Sequence, residues 1–224
     1  MSRIIALGGG GFADCEVYPM IKKIKELTGK QSPSLLYLPT AGFDDISDIG
    51  KIYDGFERYG FKCSCLRLSD WYLTEDEIAE KILSADAIYV GGGNLRFLMS
   101  VWKKTNAVKY LREAAEKGTV LSGLSSGAMC WFDMGWDDCG PNGEYMFIEC
   151  LGLIPGCNCP HYESGNWNTF KEHVKECGMD GIACENGAAY CLIDGEYSKI
   201  TGSDPASVFQ FKKDDNWKEE EIFA

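Results

Sequence analysis

A serine between two closely spaced glycines is the feature of this 224-residue chain whose chemistry is easiest to state. Residues 123–127 read Gly-Leu-Ser-Ser-Gly, a G-x-S-x-G pattern that follows the apolar run 120–124 and precedes a stretch compatible with a helix. The glycines allow a sharp turn from strand to helix, which exposes the hydroxyl of Ser125 as a nucleophile. The N–H of Ser126, the first amide of that helix, then points to where an oxyanion forms. Because the pattern also occurs by chance in glycine-rich turns, the prediction depends on the strand before it and the helix after it.

A serine nucleophile needs a base, and the chain contains only two histidines, His161 and His173. His161 follows Pro160 and an apolar stretch, so we expect it on a loop at the end of a strand. His173 falls within a predicted helix, residues 169–177, beside apolar residues, where a histidine is more often a packing residue. We therefore assign the base to His161.

The base in turn needs a group that orients its second ring nitrogen. Glu185 follows the predicted strand 182–184 and precedes the turn Asn186-Gly187, a position typical of a functional group at a strand end. The alternative is a group of aspartates that follows the G-x-S-x-G pattern: Asp133, Asp137 and Asp138. We favour Glu185 and leave these aspartates open.

A second glycine run, Gly91-Gly92-Gly93 followed by Asn94, ends the apolar segment 87–90. Ligands of open α/β sheets bind at the carboxyl ends of strands, and glycines present bare N–H groups there. We therefore expect Gly93 to supply the second oxyanion donor. Neither this run nor the N-terminal run 8–11 has the spacing of a dinucleotide or ATP phosphate loop.

The elements that must position these residues alternate between strands and helices. Strands are predicted at 4–7, 34–38, 61–68, 87–90 and 120–124, and helices at 18–28, 46–59, 107–117 and after the capping box Thr74/Glu77. The C-terminal segments 182–184, 188–193, 196–200 and 207–211 predict short, partly antiparallel strands, whereas the charged run 212–221 is expected to be solvated surface. This order predicts an α/β fold in three layers, with a mainly parallel sheet, helices on both faces and short antiparallel C-terminal strands. Since no linker or repeat interrupts the pattern, we expect a single α/β domain over residues 1–224.

Composition narrows the class of protein. The chain is 45% hydrophobic and 25% charged, as in soluble globular proteins, and its formal net charge of −12 argues against nucleic-acid and anionic membrane partners. No apolar segment approaches the ~20 residues of a membrane helix, and the N-terminus lacks a secretory signal, so we expect a cytoplasmic location. Eleven cysteines without a C-x-x-C motif favour reduced thiols, and the C-x-C pairs, Cys63/Cys65 and Cys157/Cys159, favour alternate strand positions over a zinc site.

These motifs occur in an order that resembles the dipeptidase E and cyanophycinase family of serine peptidases. The matching pieces cover most of the chain: the glycine run after the first strand, residues 39–41, 89–94, 123–128 and 160–162. The resemblance implies a fold similar to class I glutamine amidotransferases, with serine in place of the nucleophilic cysteine. It also implies Ser125 as nucleophile, His161 as base, Gly93 and Ser126 as oxyanion donors, and Glu185 as the matching acid.

The chain departs from this family in two places. Ser126 stands where members usually carry alanine, and residues 163–171 contain no arginine for the carboxylate of an N-terminal aspartate. Lys171 offers a point charge without the bidentate fork of arginine, which leaves an Asp-X preference open. Asn94 and Tyr162, which lie in the matching motifs, join Lys171 as candidate substrate-binding residues.

We therefore expect a dipeptidase-like exopeptidase that hydrolyses short peptides through an acyl-enzyme on Ser125, without a metal or cofactor. Two alternatives remain: a non-catalytic, ligand-binding relative of the same fold, and a hydrolase of another amide or an ester. The sequence does not indicate an oligomeric state.

Overall fold

Strands and helices alternate along the first half of the chain in the computed structural model, which describes residues 2–12, 16–202, 205–213 and 217–222. The strands are β1 (Arg3–Leu7), β2 (Ser34–Leu38), β3 (Lys62–Cys65), β4 (Ala87–Val90), β5 (Val120–Leu124), β6 (Phe132–Asp137), β7 (Met146–Glu149), β8 (Ile154–Cys159), β9 (Gly181–Cys184), β10 (Ala188–Ile193), β11 (Glu196–Thr201), β12 (Val208–Phe211) and β13 (Glu219–Glu221). The α-helices are α1 (Tyr18–Thr28), α2 (Ile49–Glu57), α3 (Glu75–Ser84), α4 (Leu95–Lys104), α5 (Ala107–Glu116), α6 (Ser126–Met129) and α7 (Phe170–His173). Short 3-10 helices lie at Thr40–Gly42, Pro141–Gly143, Gly165–Thr169 and Val174–Glu176.

The first sheet has the order β11-β10-β1-β5-β4-β2-β3, and its five strands from β1 to β3 run parallel. Apolar residues of α1 and α2 pack on one face, and those of α3, α4 and α5 pack on the other. Helices on both faces bury β4 completely, which explains its unbroken apolar sequence. The predicted three-layer arrangement is therefore confirmed for this sheet.

A second sheet, with the order β13-β12-β9-β8-β6-β7, was not foreseen from the sequence. Its strands pair in parallel between β6, β8 and β9 and antiparallel elsewhere. The C-terminal strands divide between the two sheets, since β10 and β11 extend the first and β12 and β13 extend the second. The three residues 185–187 connect β9 in one sheet to β10 in the other, so this turn lies where the sheets meet.

Bounds predicted from strong apolar runs agree with the structure, and those of α1, β2, β4, β5 and β10 coincide. The capping box of α3 is present, with Thr74 Oγ1 accepting from Glu77 N at 3.3 Å and the Glu77 carboxylate accepting from Thr74 N at 2.9 Å. Helix α4 and strands β6 and β7 were missed. Residues 169–177 form one turn of α-helix flanked by 3-10 turns rather than one helix.

The charged run 212–221 is predicted to be solvated surface. Its last residues, Glu219–Glu221, form an edge strand antiparallel to β12, and the side chains of Glu219 and Glu220 are exposed to solvent. Residues 214–216 of this run lie outside the described part of the chain.

The ten cysteines in the described ranges are free, and Cys15 lies outside them. Cys63 and Cys65 are alternate residues of β3, and Cys157 and Cys159 are alternate residues of β8, as their spacing predicts. Within the described ranges no group of His, Cys, Asp and Glu side chains is arranged to hold a metal ion. No helix in the part of the chain described here has the length and apolar character to cross a membrane.

Candidate active site

Ser125 occupies the sharp turn between β5 and α6. Its backbone has φ 57° and ψ −118°, a strained conformation that a serine adopts only where its surroundings enforce it. A Cβ on Gly123 would lie 2.1 Å from the carbonyl oxygen of Gly127, and one on Gly127 would lie 2.2 Å from that of Val90. Both glycines are therefore required for this turn, and the structure has the local geometry that the G-x-S-x-G pattern predicts.

His161 approaches Ser125 from the loop that follows β8. Its backbone also has a positive φ, 51°, and its N–H donates to the carbonyl oxygen of Gly8 at 3.1 Å. The imidazole Nε2 lies 2.9 Å from Ser125 Oγ, within hydrogen-bond distance. The ring is half-buried, and the indole of Trp167 packs against it with a centroid distance of 5.3 Å. The two side chains are thus arranged for transfer of a proton from the hydroxyl to the ring.

Asn186 holds the other ring nitrogen of His161, with Oδ1 at 2.6 Å from Nδ1. The Asn186 carboxamide is fixed in turn by Glu163, whose carboxylate accepts hydrogen bonds from Asn186 Nδ2 and, at 3.1 Å, from Asn186 N. Because a carboxylate only accepts, the amide nitrogen must face Glu163 and the amide oxygen must face the histidine. Nδ1 therefore carries the proton, and Nε2 is left free to accept one from Ser125.

The structure does not bring Glu185, the orienting acid expected from the sequence, to the histidine. Its Oε2 accepts from Ser207 N at 2.7 Å, and its own N–H donates to the Ser207 carbonyl oxygen at 3.0 Å. Glu185 is therefore held beside the residue that precedes β12, while its neighbour Asn186 faces His161.

The aspartates left open as alternatives also lie elsewhere. Asp133 Oδ2 accepts from Gly156 N at 2.8 Å, and Asp138 is exposed. His173, the histidine not chosen as base, stacks on Trp136 at a centroid distance of 4.9 Å.

The two residues predicted to supply the oxyanion donors, Ser126 and Gly93, are in contact. Ser126 is the first residue of α6, so its N–H has no acceptor within the helix. Its hydroxyl donates to the Gly93 carbonyl oxygen at 2.6 Å and lies 3.3 Å from Asp137 Oδ2. Burial raises the pKa of the Asp137 carboxyl above its usual range. The Ser126 hydroxyl thus ties the second glycine run to the turn that carries Ser125.

The three candidate substrate-binding residues have separate surroundings. Asn94 Oδ1 accepts from Phe97 N at 2.8 Å and so caps α4. Tyr162 is buried against the rings of Phe209 and Phe211. Lys171 is exposed on α7. Asn94 and Tyr162 therefore have structural contacts, and Lys171 lies on the surface. A role of these three residues in binding substrate stays a prediction.

A cavity of about 370 Å³ opens beside the nucleophile. Gly92 and Leu124 are among its lining residues, and a Cβ on Gly92 would lie 3.2 Å from Ser125 Cβ. Volumes of this size accommodate small ligands.

Sequence reasoning missed Asn186, Glu163 and Trp167. Asn186 is the residue after Glu185, the predicted acid. The turn Asn186-Gly187 at the end of a strand was a feature of the sequence that could have indicated it. Glu163 lies in the loop after β8 and Trp167 in the short 3-10 helix Gly165–Thr169. Their sequence shows no periodic pattern, so only the folded chain shows that they contact this site.

Comparison with known proteins identifies the family of this chain. Residues 4–200 match the model of peptidase family S51. The chain is 31% identical over 207 residues to the uncharacterized peptidase YgaJ of Bacillus subtilis (strain 168), a match covering 91% of this chain and 88% of that protein. It is also 31% identical over 94 residues to the uncharacterized peptidase Lin0382 of Listeria innocua, covering 40% of this chain and 45% of that protein.

Two crystal structures share the fold. One is a peptidase from an acI-B1 Actinobacterium, with a TM-score of 0.74 and 17% identity, covering all of this chain and 95% of the other. The second is a putative peptidase E protein from Listeria monocytogenes EGD-e, with a TM-score of 0.65 and 19% identity, covering 91% of this chain and all of the other. With a family match over residues 4–200, and a relative aligned over most of both chains, the chain belongs to peptidase family S51.

Proposed function

We propose that this protein is a serine-type exopeptidase of short peptides and that Ser125 is its nucleophile. The observation that carries the proposal is the 2.9 Å contact between Ser125 Oγ and His161 Nε2 at a strained turn between strand and helix. A serine held in this way is activated when the neighbouring imidazole removes its proton. Membership in family S51 supports the reaction class, since it makes the protein a peptidase.

In the acylation step His161 Nε2 accepts the hydroxyl proton while Ser125 Oγ attacks the carbonyl carbon of the peptide. The tetrahedral intermediate then collapses, its C–N bond breaks, and the proton on Nε2 passes to the leaving amine. A water molecule, deprotonated by the same nitrogen, hydrolyses the acyl-enzyme and regenerates the serine. In these steps Ser125 carries the acyl group and His161 carries the proton.

Asn186 and Glu163 act on the histidine in this mechanism rather than on the substrate. The amide oxygen of Asn186 accepts the Nδ1 proton, keeps the ring in the reactive tautomer and stabilises the imidazolium that forms. A neutral amide does this less strongly than a carboxylate. The negative charge of Glu163 on the far side of the amide polarises it in the favourable direction.

The oxyanion of the tetrahedral intermediate needs preorganised N–H donors. We assign this role to the amides of Ser126 and Gly93, in line with the family resemblance. The hydrogen bond from Ser126 Oγ to the Gly93 carbonyl supports the assignment, because it fixes the glycine run relative to the nucleophile.

We place this activity in the cytoplasm. The ten free cysteines of the described ranges suit a reducing compartment, where thiols stay unpaired.

Two measurements test the nucleophile. Ser125→Ala should reduce hydrolysis of short peptides by about 10³-fold or more while leaving the unfolding midpoint nearly unchanged. A small fluorophosphonate should label Ser125 of the wild-type protein stoichiometrically, as read by intact-mass and peptide mass spectrometry.

The matched control is Ser122→Ala, which removes a buried hydroxyl of the same strand that donates to the Ile88 carbonyl oxygen, away from the reacting atoms. It should retain fluorophosphonate labelling. Undiminished peptide hydrolysis in Ser125→Ala, or labelling at another residue, would overturn the proposal. If Ser125 is labelled and the protein hydrolyses esters but no member of a dipeptide panel, the serine mechanism stands and the substrate is not a peptide.

A further inference from the structure

The segment that carries His161 begins and ends at two cysteines in contact. Cys157 lies in β8, shortly before His161, and Cys177 follows the 3-10 turn Val174–Glu176, 20 residues further along the chain. Their Sγ atoms are 2.7 Å apart, and both thiols are free. A disulfide bond measures about 2.05 Å, so the two sulfur atoms need to move only a fraction of an ångström to bond.

The two thiols differ in exposure and acidity. Cys157 is fully buried, whereas Cys177 is half-buried. The hydrogen bond from Cys157 is the largest cause that lowers the pKa of Cys177 to about 7, and together with backbone hydrogen bonds it outweighs burial, which acts in the opposite direction. The same hydrogen bond and burial raise the pKa of Cys157. Near neutral pH, Cys177 is therefore a thiolate in a substantial fraction of the molecules, while Cys157 keeps its proton.

A thiolate that meets solvent beside a second thiol suits oxidation by a peroxide. The thiolate, rather than the thiol, is the nucleophile, and the sulfenic acid formed on it condenses with a neighbouring thiol to a disulfide. Cys63 and Cys65 are also half-buried, but burial raises their pKa values to about 12 and about 11. Exposure alone therefore does not make a thiol of this protein reactive, and the contact between Cys157 and Cys177 supplies what these two lack.

The residues between the two cysteines include the base of the candidate active site. His161 lies there, as do Glu163, which holds the orienting amide, and Trp167, which packs against the imidazole. The sulfur atoms are adjacent in the same structure in which His161 Nε2 is 2.9 Å from Ser125 Oγ. A bond between them would therefore close this segment into a loop without moving the base away from the nucleophile.

We propose that Cys157 and Cys177 form an oxidation site, at which hydrogen peroxide joins them in a disulfide that fixes the His161 segment in its active arrangement. The Cys177 thiolate attacks one peroxide oxygen, the O–O bond breaks, and the leaving hydroxide takes up a proton to become water. The Cys157 sulfur then attacks the sulfenic sulfur, and its S–H proton leaves with the displaced hydroxyl as a second water. Two thiols lose two electrons, and one hydrogen peroxide is reduced to two waters.

Peptide mapping tests the oxidation site. The reduced protein, freed of reductant, is treated with hydrogen peroxide at neutral pH, and the remaining thiols are blocked with N-ethylmaleimide before digestion and mass spectrometry. A peptide pair joined through Cys157 and Cys177, lighter by two hydrogens than the free peptides, should appear before other cysteines are oxidised, and dithiothreitol should reverse it. Cys177→Ala should abolish this crosslink, whereas the matched control Cys65→Ala, which removes another half-buried thiol, should retain it.

Cys157→Ser separates the two chemical steps. The serine hydroxyl can still donate to Cys177 but offers no sulfur to bond, so oxidation should stop at the sulfenic acid of Cys177. Dimedone, which reacts with sulfenic acids, should then label Cys177 in this variant. In Cys65→Ser, which changes one atom of a thiol outside the pair, the disulfide should form and dimedone labelling of Cys177 should stay low.

The disulfide should stabilise the fold and leave the active site working. Closing the loop restricts the unfolded chain, so the thermal unfolding midpoint of the oxidised protein should exceed that of the reduced protein by about 5 °C or more. Fluorophosphonate labelling of Ser125 should proceed at a rate within about twofold of that in the reduced protein, because Ser125 and His161 keep their contact. In Cys177→Ala, peroxide should change neither quantity.

Each result decides the proposal. A reversible disulfide between Cys157 and Cys177 with a higher unfolding midpoint supports it. Thiols that stay free while other cysteines oxidise, or a disulfide of Cys177 with another partner, would overturn it. A disulfide that leaves the midpoint unchanged or lowers it, or that abolishes the labelling of Ser125 seen in the reduced protein, would contradict the fixing of the segment. Since the mapping needs no substrate, full hydrolysis by Ser125→Ala would refute the proposed function and leave the oxidation site standing.

Discussion

Gly9 lies so close to Asn186 that a Cβ on the glycine would stand 1.7 Å from the Asn186 amide oxygen. The same Cβ would lie 2.6 Å from Nδ1 of His161. The neighbouring carbonyls take part as well, since Gly8 accepts from His161 N at 3.1 Å and Gly9 accepts from Gly187 N at 3.0 Å. The N-terminal glycine run thus provides the space in which the histidine and its orienting amide meet.

Gly9→Ala should therefore lower kcat much more than it lowers stability. The added methyl must displace the imidazole or the amide, and a displacement of about 1 Å at a reacting group costs on the order of 10²-fold in rate. Steady-state kinetics on the best dipeptide substrate, with thermal unfolding alongside, measures both effects. The control is Gly50→Ala, whose new methyl group meets open space. Equal activity in the two variants would mean that the contact at Gly9 has no role in orienting the site.

Asn186 and Glu185 can be separated by a matched pair of substitutions. Asn186→Ala removes the acceptor for the Nδ1 proton and should reduce kcat by on the order of 10²-fold or more with little change in KM. Glu185→Gln keeps a side-chain oxygen for Ser207 N and should leave kcat within about twofold of wild type. A larger loss in the glutamine variant than in the alanine variant would return the orienting role to Glu185.

Glu163 should have a smaller effect that depends on Asn186. Glu163→Gln removes the charge behind the amide, and we expect kcat to fall by about threefold to thirtyfold in the wild-type background. In the Asn186→Ala background the same substitution should change kcat little, because the group through which it acts is absent. A double-mutant cycle on kcat measures this coupling, and additive effects would contradict the relay.

Among the ten cysteines in the described ranges, Cys177 is expected to be the most readily alkylated near neutral pH. Its Sγ lies 2.7 Å from that of Cys157, and the hydrogen bond from Cys157 lowers the pKa of Cys177 to about 7. The shared proton also raises the pKa of Cys157. Cys177 is half-buried, whereas burial raises the pKa of Cys130 and Cys159.

Iodoacetamide labelling as a function of pH, read residue by residue by mass spectrometry, measures this reactivity. Cys157→Ala removes the donor and should move the midpoint for Cys177 upward toward that of an ordinary thiol. An unchanged midpoint in that variant would show that the contact does not control the titration.

Asp86 should make folding stability sensitive to acid. Its carboxylate receives hydrogen bonds from Lys30 Nζ at 2.6 Å and Ser34 N at 2.9 Å. Burial acts to raise its pKa, but these two partners together outweigh burial, so the pKa is lowered. Because the pKa is lower in the folded state, the stabilisation is present above the unfolded-state pKa and is lost as the pH falls through the folded-state value.

Asp86→Asn should lower the free energy of unfolding by about 1 to 2 kcal/mol at neutral pH, after allowance for the exposure of Lys30. The difference from wild type should shrink as the pH falls below ~3.9, the usual pKa of aspartate. Urea unfolding at neutral and acidic pH measures it. A difference that is independent of pH would exclude the carboxylate as its source.

The sequence alone determined the parts of the site that local chemistry dictates. The turn at Ser125 follows from Gly123 and Gly127, because no other residue fits against the facing carbonyl oxygens. The alternation of apolar strands and amphipathic helices determined the parallel sheet, and the shortage of histidines reduced the base to two candidates. These features depend on spacing within one or two elements, which a sequence displays directly.

Tertiary structure alone decided which side chain meets the second nitrogen of His161. Glu185 and Asn186 are neighbours in one turn, but the Glu185 side chain contacts Ser207 and the Asn186 side chain contacts His161. The two side chains diverge because β9 and β10, on either side of the turn, belong to different sheets. No local pattern encodes that division, because it depends on pairing with strands far away in the chain, β8 and β12 on one side and β1 on the other. The relay through Glu163 and the cavity beside Ser125 likewise arise from segments far apart in sequence, which only the folded chain brings together.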